Sequence, residues 1–218
     1  MIRRIDFAGQ VFEARASGVL WWPGRQTLIV ADLHLGKSAR MAARGGALLP
    51  PHEDVDTLAR LGAEVAALPV ARVISLGDAF EDAEAPEALR TPERARLAAL
   101  AAGRDWVWVT GNHDQGAVPG LGAVLPELRE EGVALRHVAG EGPDISGHYH
   151  PKARLAGRAR PAFLVGRAHL ILPAFGTYTG GLDCDGEPLA SLVGPGLALL
   201  TGRRLLARPL GMPARRRA

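Results

Sequence analysis

Three short apolar runs in the first half of the chain share one design. Gln26-Thr-Leu-Ile-Val-Ala31 stops at Asp32, Arg72-Val-Ile-Ser-Leu76 stops at Gly77-Asp78, and Trp106-Val-Trp-Val-Thr110 stops at Gly111-Asn112-His113-Asp114. Each run has the length of a buried strand. Between the first two lies a helical pattern opening near Pro51, with Glu53 and Asp54 in its first turn and Val55, Leu58, Leu61, Val65 and Leu68 along one face. A second helix is predicted from Thr91-Pro92, with Thr91 as its cap, to Gly103 just past its end. Strands separated by helices argue for parallel pairing, and ligands bind beyond the carboxyl ends of such strands.

The second half reads differently. Helical periodicity nearly vanishes, and short β-like pieces follow one another: Val133–Val138, Asp144–Ser146, Ala162–Val165, His169–Leu172, Leu197–Thr201 and Arg204–Arg208. This predicts a second, partly antiparallel sheet packed on the first, in an α/β protein.

Composition narrows the picture. At 218 residues, 47% hydrophobic and 22% charged, the sequence suits a globular protein with a sizeable core. A single cysteine, Cys184, rules out an intrachain disulfide and fits a reducing compartment. Residues 1–10 lack the apolar segment of a secretory signal, and the longest uncharged apolar stretch, 188–202, is too short to span a membrane. The expectation is a cytoplasmic protein with no membrane contact.

The net charge of +3 is uneven. Residues 201–218 hold six arginines and no acid, which leaves 20 basic against 23 acidic side chains, a net of −3, for the rest. A basic tail can hold nucleic-acid phosphates; it can equally be a solvated end. The expectation is one domain over 1–218, with residues 211–218 as a flexible basic tail.

The candidate chemistry sits at the strand ends. In order the clusters are Asp32-Leu-His34, Gly77-Asp78, Gly111-Asn112-His113-Asp114, His137, and Gly147-His148-Tyr-His150, which together hold five of the seven histidines. Residues i and i+2 of an extended segment point the same way, so Asp32 with His34, and His148 with His150, can each grip one object or a pair of objects. A lone D-x-H or G-D is ordinary turn chemistry; the conjunction is what points to metal. Carboxylate, imidazole and amide oxygen without thiolate suit Mn, Fe or Zn in a working site rather than structural zinc. Asp78, after the central strand, is the natural bridge between two ions. His52 and His169 are left over as structural residues.

At this point the sequence resembles the calcineurin-like metallophosphoesterases, whose ordered signature is D-x-H, G-D-x-x-D, G-N-H-D/E, a lone H, and G-H-x-H. The chain shows A-D-L-H, G-D-A-F-E-D, G-N-H-D, R-H-V and G-H-Y-H in that order. It departs in the second block, where the trailing acid is Glu81 with Asp82 one place late. A narrower resemblance, over nearly the whole chain, is to the ligase-associated DNA damage response endonucleases of the PdeM group. A-D-L-H-L-G-K-S, G-H-Y-H-P and L-P-A-F-G-T-Y-T-G-G at 172–181 carry it.

The resemblance implies two mixed β-sheets flanked by helices and two divalent cations, Mn²⁺ first, with Fe or Zn as alternatives. One ion would take Asp32, His34, Asp78 and His150, the other Asp78, Asn112, His137 and His148. It implies phosphodiester hydrolysis, with His113 protonating the leaving oxygen and Asp114 orienting His113. Lys37 is a candidate phosphate contact. DNA as substrate, and association with a DNA ligase and a helicase, come from the resemblance. The alternatives are an enzyme for small nucleotides, either phosphodiesterase or pyrophosphatase, and a metal-binding module without catalysis.

Overall fold

Side-chain alternation along the predicted strands sorts into three buried layers. A computed structural model describes residues 2–46, 48–114 and 120–211. The first sheet runs in chain order: β1 (Ile2–Phe7), β2 (Gln10–Arg15), β3 (Leu20–Trp22), β4 (Thr27–Val30), β5 (Arg72–Leu76), β6 (Asp105–Val109) and β7 (Ala123–Leu125). Pairing is antiparallel from β1 to β4 and parallel from β4 to β7. The crossovers between β4, β5 and β6 carry α1 (Lys37–Ala43), α2 (Glu53–Ala67), α3 (Ala85–Ala88) and α4 (Thr91–Ala101).

The second sheet holds β8 (Glu127–Glu130), β9 (Val133–Arg136), β10 (Asp144–Ser146), β11 (Lys152–Leu155), β12 (Arg158–Val165), β13 (His169–Ile171), β14 (Gly196–Leu200) and β15 (Leu206–Leu210). Its order is β15-β14-β12-β13-β10-β9-β8, with β11 paired to β12. Only β9–β10 and β10–β13 are parallel. Among the described residues, the one helix on its outer face is α5 (Leu189–Val193).

Register explains the layering. Ile29 pairs with Ile74 and Ile74 with Val107, and all three enter the core between the sheets with Phe12, Trp22, Leu135, Ile145 and Phe163. Their neighbours Leu28, Val73 and Trp106 face the other way, against Leu58, Leu61, Val65 and Leu97 of α2 and α4. A strand covered on both faces has no polar side to show, which is why these runs read as continuously apolar.

Some expectations shift. Val55 is exposed rather than on the buried face of α2, and Glu53, at the helix start, is buried instead. Its carboxylate accepts the Ser38 N–H at 2.7 Å. Thr91 is the first residue of α4, not its cap. The last strand begins at Leu206, two residues later than expected, so Arg203 and Arg204 lie in the preceding turn. The tail arginines Arg215, Arg216 and Arg217 fall outside the described residues. No helix among the described residues is long and apolar enough to cross a membrane.

Candidate metal centre

The parallel register brings the chemistry to one edge. Val30 pairs with Ser75 and Ser75 with Trp108, so the residues following β4, β5 and β6 emerge side by side. In the second sheet Ser146 pairs with Arg136, which puts His137 beside Gly147 and His148. The sheets meet here: His137 Nδ1 donates to the Leu76 carbonyl at 3.0 Å, and the His148 N–H donates to both Asp32 carboxylate oxygens at 3.0–3.1 Å.

The expected residues gather in two groups. Asp32, His34 and His150 form one, with His34 Nε2 3.2 Å from His150 Nε2 and the Asp32 carboxylate 3.6 Å from His150. Asp78, His137 and His148 form the other, with Asn112 Oδ1 2.9 Å from both His137 Nε2 and His148 Nδ1. The Asp78 carboxylate lies 3.4 Å from His137 Nε2. The i and i+2 pairing of histidines therefore serves two groups rather than one.

The backbone that presents them is not an extended strand. Asp32, His34, Asp78, His148 and His150 all have left-handed φ, between 44° and 70°. Such positions are rare for residues with a Cβ and cost of order 1–3 kcal/mol each. Bonds between the loops offset the cost: Asp32 N–H donates to the Gly77 carbonyl, His34 N–H to that of Asp78, and Gly176 N–H to that of Asp32. Leu33, between the two ligands, turns into the apolar layer beneath α2.

Close approach demands glycine at two places. A Cβ at Gly111 would stand 2.1 Å from an Asp78 carboxylate oxygen. At Gly77, where φ is 76°, it would stand 2.3 Å from His137 Nδ1. Gly77→Ala is therefore expected to destabilise the protein by about 1–3 kcal/mol or more, as overpacking does. Thermal unfolding of the variant checks this.

Tautomers follow from the partners. The Leu76 carbonyl can only accept, so His137 Nδ1 carries a proton, and its Nε2 faces Asn112 and Asp78. His34 Nδ1 faces the Glu81 carboxylate at 3.0 Å, which leaves its Nε2 lone pair facing His150. Asp32, His34, Asp78 and His137 are all buried. Ring nitrogens and carboxylates packed this closely are held by a shared positive charge, supplied by a proton or a metal cation. Burial alone would raise the Asp78 carboxyl. The hydrogen bond and charge of His137 and the His113 N–H outweigh burial and bring it to about 2. For His137, burial works toward the neutral ring, but the bond and charge of Asp78 outweigh it and raise the pKa.

Glu81 is the residue the motif left undecided. Burial pushes its carboxyl up, yet bonds from His34 and from Lys37 Nζ at 3.0 Å bring it to about 2. It fixes the His34 ring, while Asp82 turns away to Arg40 and Arg44. The signal was present in the sequence, since Glu81 occupies the trailing-acid position of the G-D-x-x-D block.

Two further candidates have partners within the protein. Lys37, the candidate phosphate contact, donates one hydrogen bond to Glu81 at the start of α1, where a positive charge gains from a carboxylate beside it. Asp114 was expected to orient His113. Its buried carboxylate accepts from the Ala79, Phe80 and Gly111 N–H groups and ties the loops after β5 and β6 together. Burial pushes Asp114 up to about 6, against these bonds. His113 is exposed, and its Nδ1 donates to the Glu81 carbonyl at 2.9 Å. Its ring stands edge-on to His34 at 5.1 Å.

The remaining histidines sit elsewhere. His169 Nδ1 bonds Asp144 at 2.9 Å, and His52 Nε2 bonds the Tyr178 hydroxyl at 3.2 Å. A further acidic group, Asp183, Cys184 and Asp185, lies on consecutive residues and is engaged by Arg154 and Arg208.

No family model matches the chain, and no curated protein does. A solved structure does: the crystal structure of the Pseudomonas putida nuclease MPE, at 30% identity and a TM-score of 0.74, aligned over 96% of this chain and 100% of that one. The chain belongs to the family of that nuclease. The shared architecture is the pair of mixed sheets described above, and the two groups of side chains that could hold a metal lie at one edge of the sandwich.

Proposed function

We propose that the chain is a metal-dependent phosphodiesterase that cleaves DNA, a member of the ligase-associated branch of the calcineurin-like metallophosphoesterases acting in DNA repair in the cytoplasm. The observation that carries this is the convergence of histidine ring nitrogens, Asn112 Oδ1 and two buried carboxylates at one sheet edge. The likeness to a nuclease supports the choice of substrate. Association with a DNA ligase and a helicase rests on the sequence resemblance alone.

The donor set fits divalent cations. Ligands about 2.0–2.2 Å from an ion stand about 3 Å apart along the edges of its coordination shell, and the ring nitrogens and amide oxygen here are 2.9–3.2 Å apart. Asp32, His34 and His150 would hold one ion and Asn112, His137 and His148 a second, with Asp78 shared. When bound, such ions supply Lewis acidity and lower the pKa of coordinated water. Mn²⁺ suits hard oxygens with imidazole, and Fe or Zn would also fit.

The chain's own groups do the rest. Asp78, ionised down to about pH 2, keeps its charge across any working pH. Glu81 and the Leu76 carbonyl hold the His34 and His137 rings in the tautomers that present Nε2. Glu81→Gln is accordingly expected to weaken metal binding by about 10–100-fold, the usual cost of a lost partner behind a ligand. Metal titration into stripped protein reads this. His113, anchored through Nδ1, has Nε2 free to give a proton to the leaving oxygen.

The substrate class is tested by comparing turnover of a defined DNA oligonucleotide, bis-p-nitrophenyl phosphate and dinucleotide pyrophosphates. Preferential cleavage of DNA is the expected result. Preference for the small nucleotides would move the assignment to them. No turnover of any, with metal bound, would leave a silent metal-binding module.

A further inference from the structure

The strand directions place a second charged feature on the same edge as the metal-ligating groups. β10 and β13 are parallel and end at that edge. β12 is antiparallel to β13 and β14 antiparallel to β12, so the start of β12 and the end of β14 return to it. There Arg160 of β12 and Arg203 and Arg204 of the turn after β14 line a cleft of about 520 Å³ with Gly202 and Leu206. A Cβ added at Gly202 would lie 3.4 Å from Arg160 Nη1, so the guanidinium lies across the glycine. Arg203 and Arg204 are exposed, and none of the three has an acidic partner among the described residues. Arg72, Arg136 and Arg208 are paired with acids, whereas exposed Arg3, Arg96, Arg158 and Arg167 are, like the three cleft arginines, without one among the described residues.

A continuous surface joins this cleft to the candidate centre. Gly176 N–H donates to the Asp32 carbonyl. Gly176 and Thr179 then line a smaller hollow that also reaches Arg60 and Gly202. Beside it Lys152, two residues from His150, donates to the Thr179 carbonyl at 3.3 Å. The floor is closed where Gly202 N–H meets the Ala16 carbonyl of the first sheet. From β10 to β14 is three strand spacings, about 14 Å. A polynucleotide strand rises about 3.4 Å per residue, so a strand running along the hollow spans the gap in about four nucleotides.

We propose that the Arg160, Arg203 and Arg204 cleft is an accessory site for the phosphate backbone of a nucleic-acid strand that extends beyond the bond being cleaved. The proposal rests on the nuclease reading and deepens it. Residues 1–200 carry a net charge of −3, and without these three arginines the whole chain is neutral, so a local basic cluster such as this one favours a polyanion. Three unpaired guanidiniums near one groove are suited to successive phosphates and make no demand on base sequence. The substrate class this selects is a polynucleotide several residues longer than a dinucleotide.

The test combines a binding arm and a turnover arm on Arg203→Ala/Arg204→Ala, both exposed positions, and on the triple variant with Arg160→Ala. Binding of a fluorescent 20-residue DNA oligonucleotide to metal-stripped protein is measured by anisotropy between 50 and 200 mM salt. Each lost phosphate contact should reduce the salt slope by about 0.7–0.9. For three contacts, the affinity lost over this fourfold salt range shrinks by about 20–40-fold. Turnover of bis-p-nitrophenyl phosphate should be unchanged, and that of the oligonucleotide should show a raised KM. Unchanged affinity and salt slope in both variants would overturn the proposal. Because the binding arm needs no catalysis, a failure of the nuclease reading shows separately, as absent DNA turnover in the unmutated protein.

Discussion

Asp78→Ala is expected to cut phosphodiester cleavage by about 10²–10³-fold or more, the scale of losing a fixed charge that stabilises a transition state, and to lower the metal content of the protein. Asp78 is buried and ionised, and each of its oxygens faces the site. One accepts the His113 N–H at 2.9 Å and the other lies 3.4 Å from His137 Nε2. Removing it takes away a candidate shared ligand and leaves the His137 ring without its charge partner. Metal analysis of the purified variant separates this from a simple rate defect. Asp82→Ala is the matched control, since that carboxylate serves Arg40 and Arg44 and should leave metal content intact. Equal metal content in Asp78→Ala and the unmutated protein would remove Asp78 from the ligand set.

His113→Ala should behave in the opposite way. The ring is exposed, and its one side-chain bond is to the Glu81 carbonyl, so its loss should leave fold and metal content unchanged. The rate on DNA should fall by about 10²–10⁴-fold, as for a lost general acid. The fall should be much smaller on bis-p-nitrophenyl phosphate, whose leaving group departs without a proton. A variant that loses metal, or loses rate equally on both substrates, would contradict the role.

The parts of this arrangement visible in the sequence are those with buried surroundings. β4, β5 and β6 are covered on both faces, so their apolar runs announced themselves, and each ended where a ligand had to emerge. Residues before Gln26 gave no prediction, yet they form β1–β3. Their alternation is real: Ile5, Phe7, Phe12 and Ala14 are buried and their neighbours are polar or exposed. The two-residue turn that joins β1 and β2 is Ala8-Gly9, both with positive φ, and alanine at the first position hides the usual hairpin signature. β7 at the sheet edge is mostly exposed and has no apolar period to read.

Within the site, the D-x-H and G-H-x-H pairs were legible as convergent residues, although their backbone is left-handed rather than extended. The tasks of Asp114 and Lys37 were not legible, because both depend on which loop folds over which. Asp114 meets N–H groups more than thirty residues away in the chain, and Lys37 meets Glu81 across forty-four. Spacing alone carries no trace of such long-range bonds.

The most direct measurement is cleavage of a defined DNA oligonucleotide by protein stripped of metal with a chelator and then given back Mn²⁺. The structure predicts no cleavage by the stripped protein and recovery on adding Mn²⁺, with His34→Ala and His148→Ala failing to recover. Full cleavage by the metal-stripped protein would contradict it.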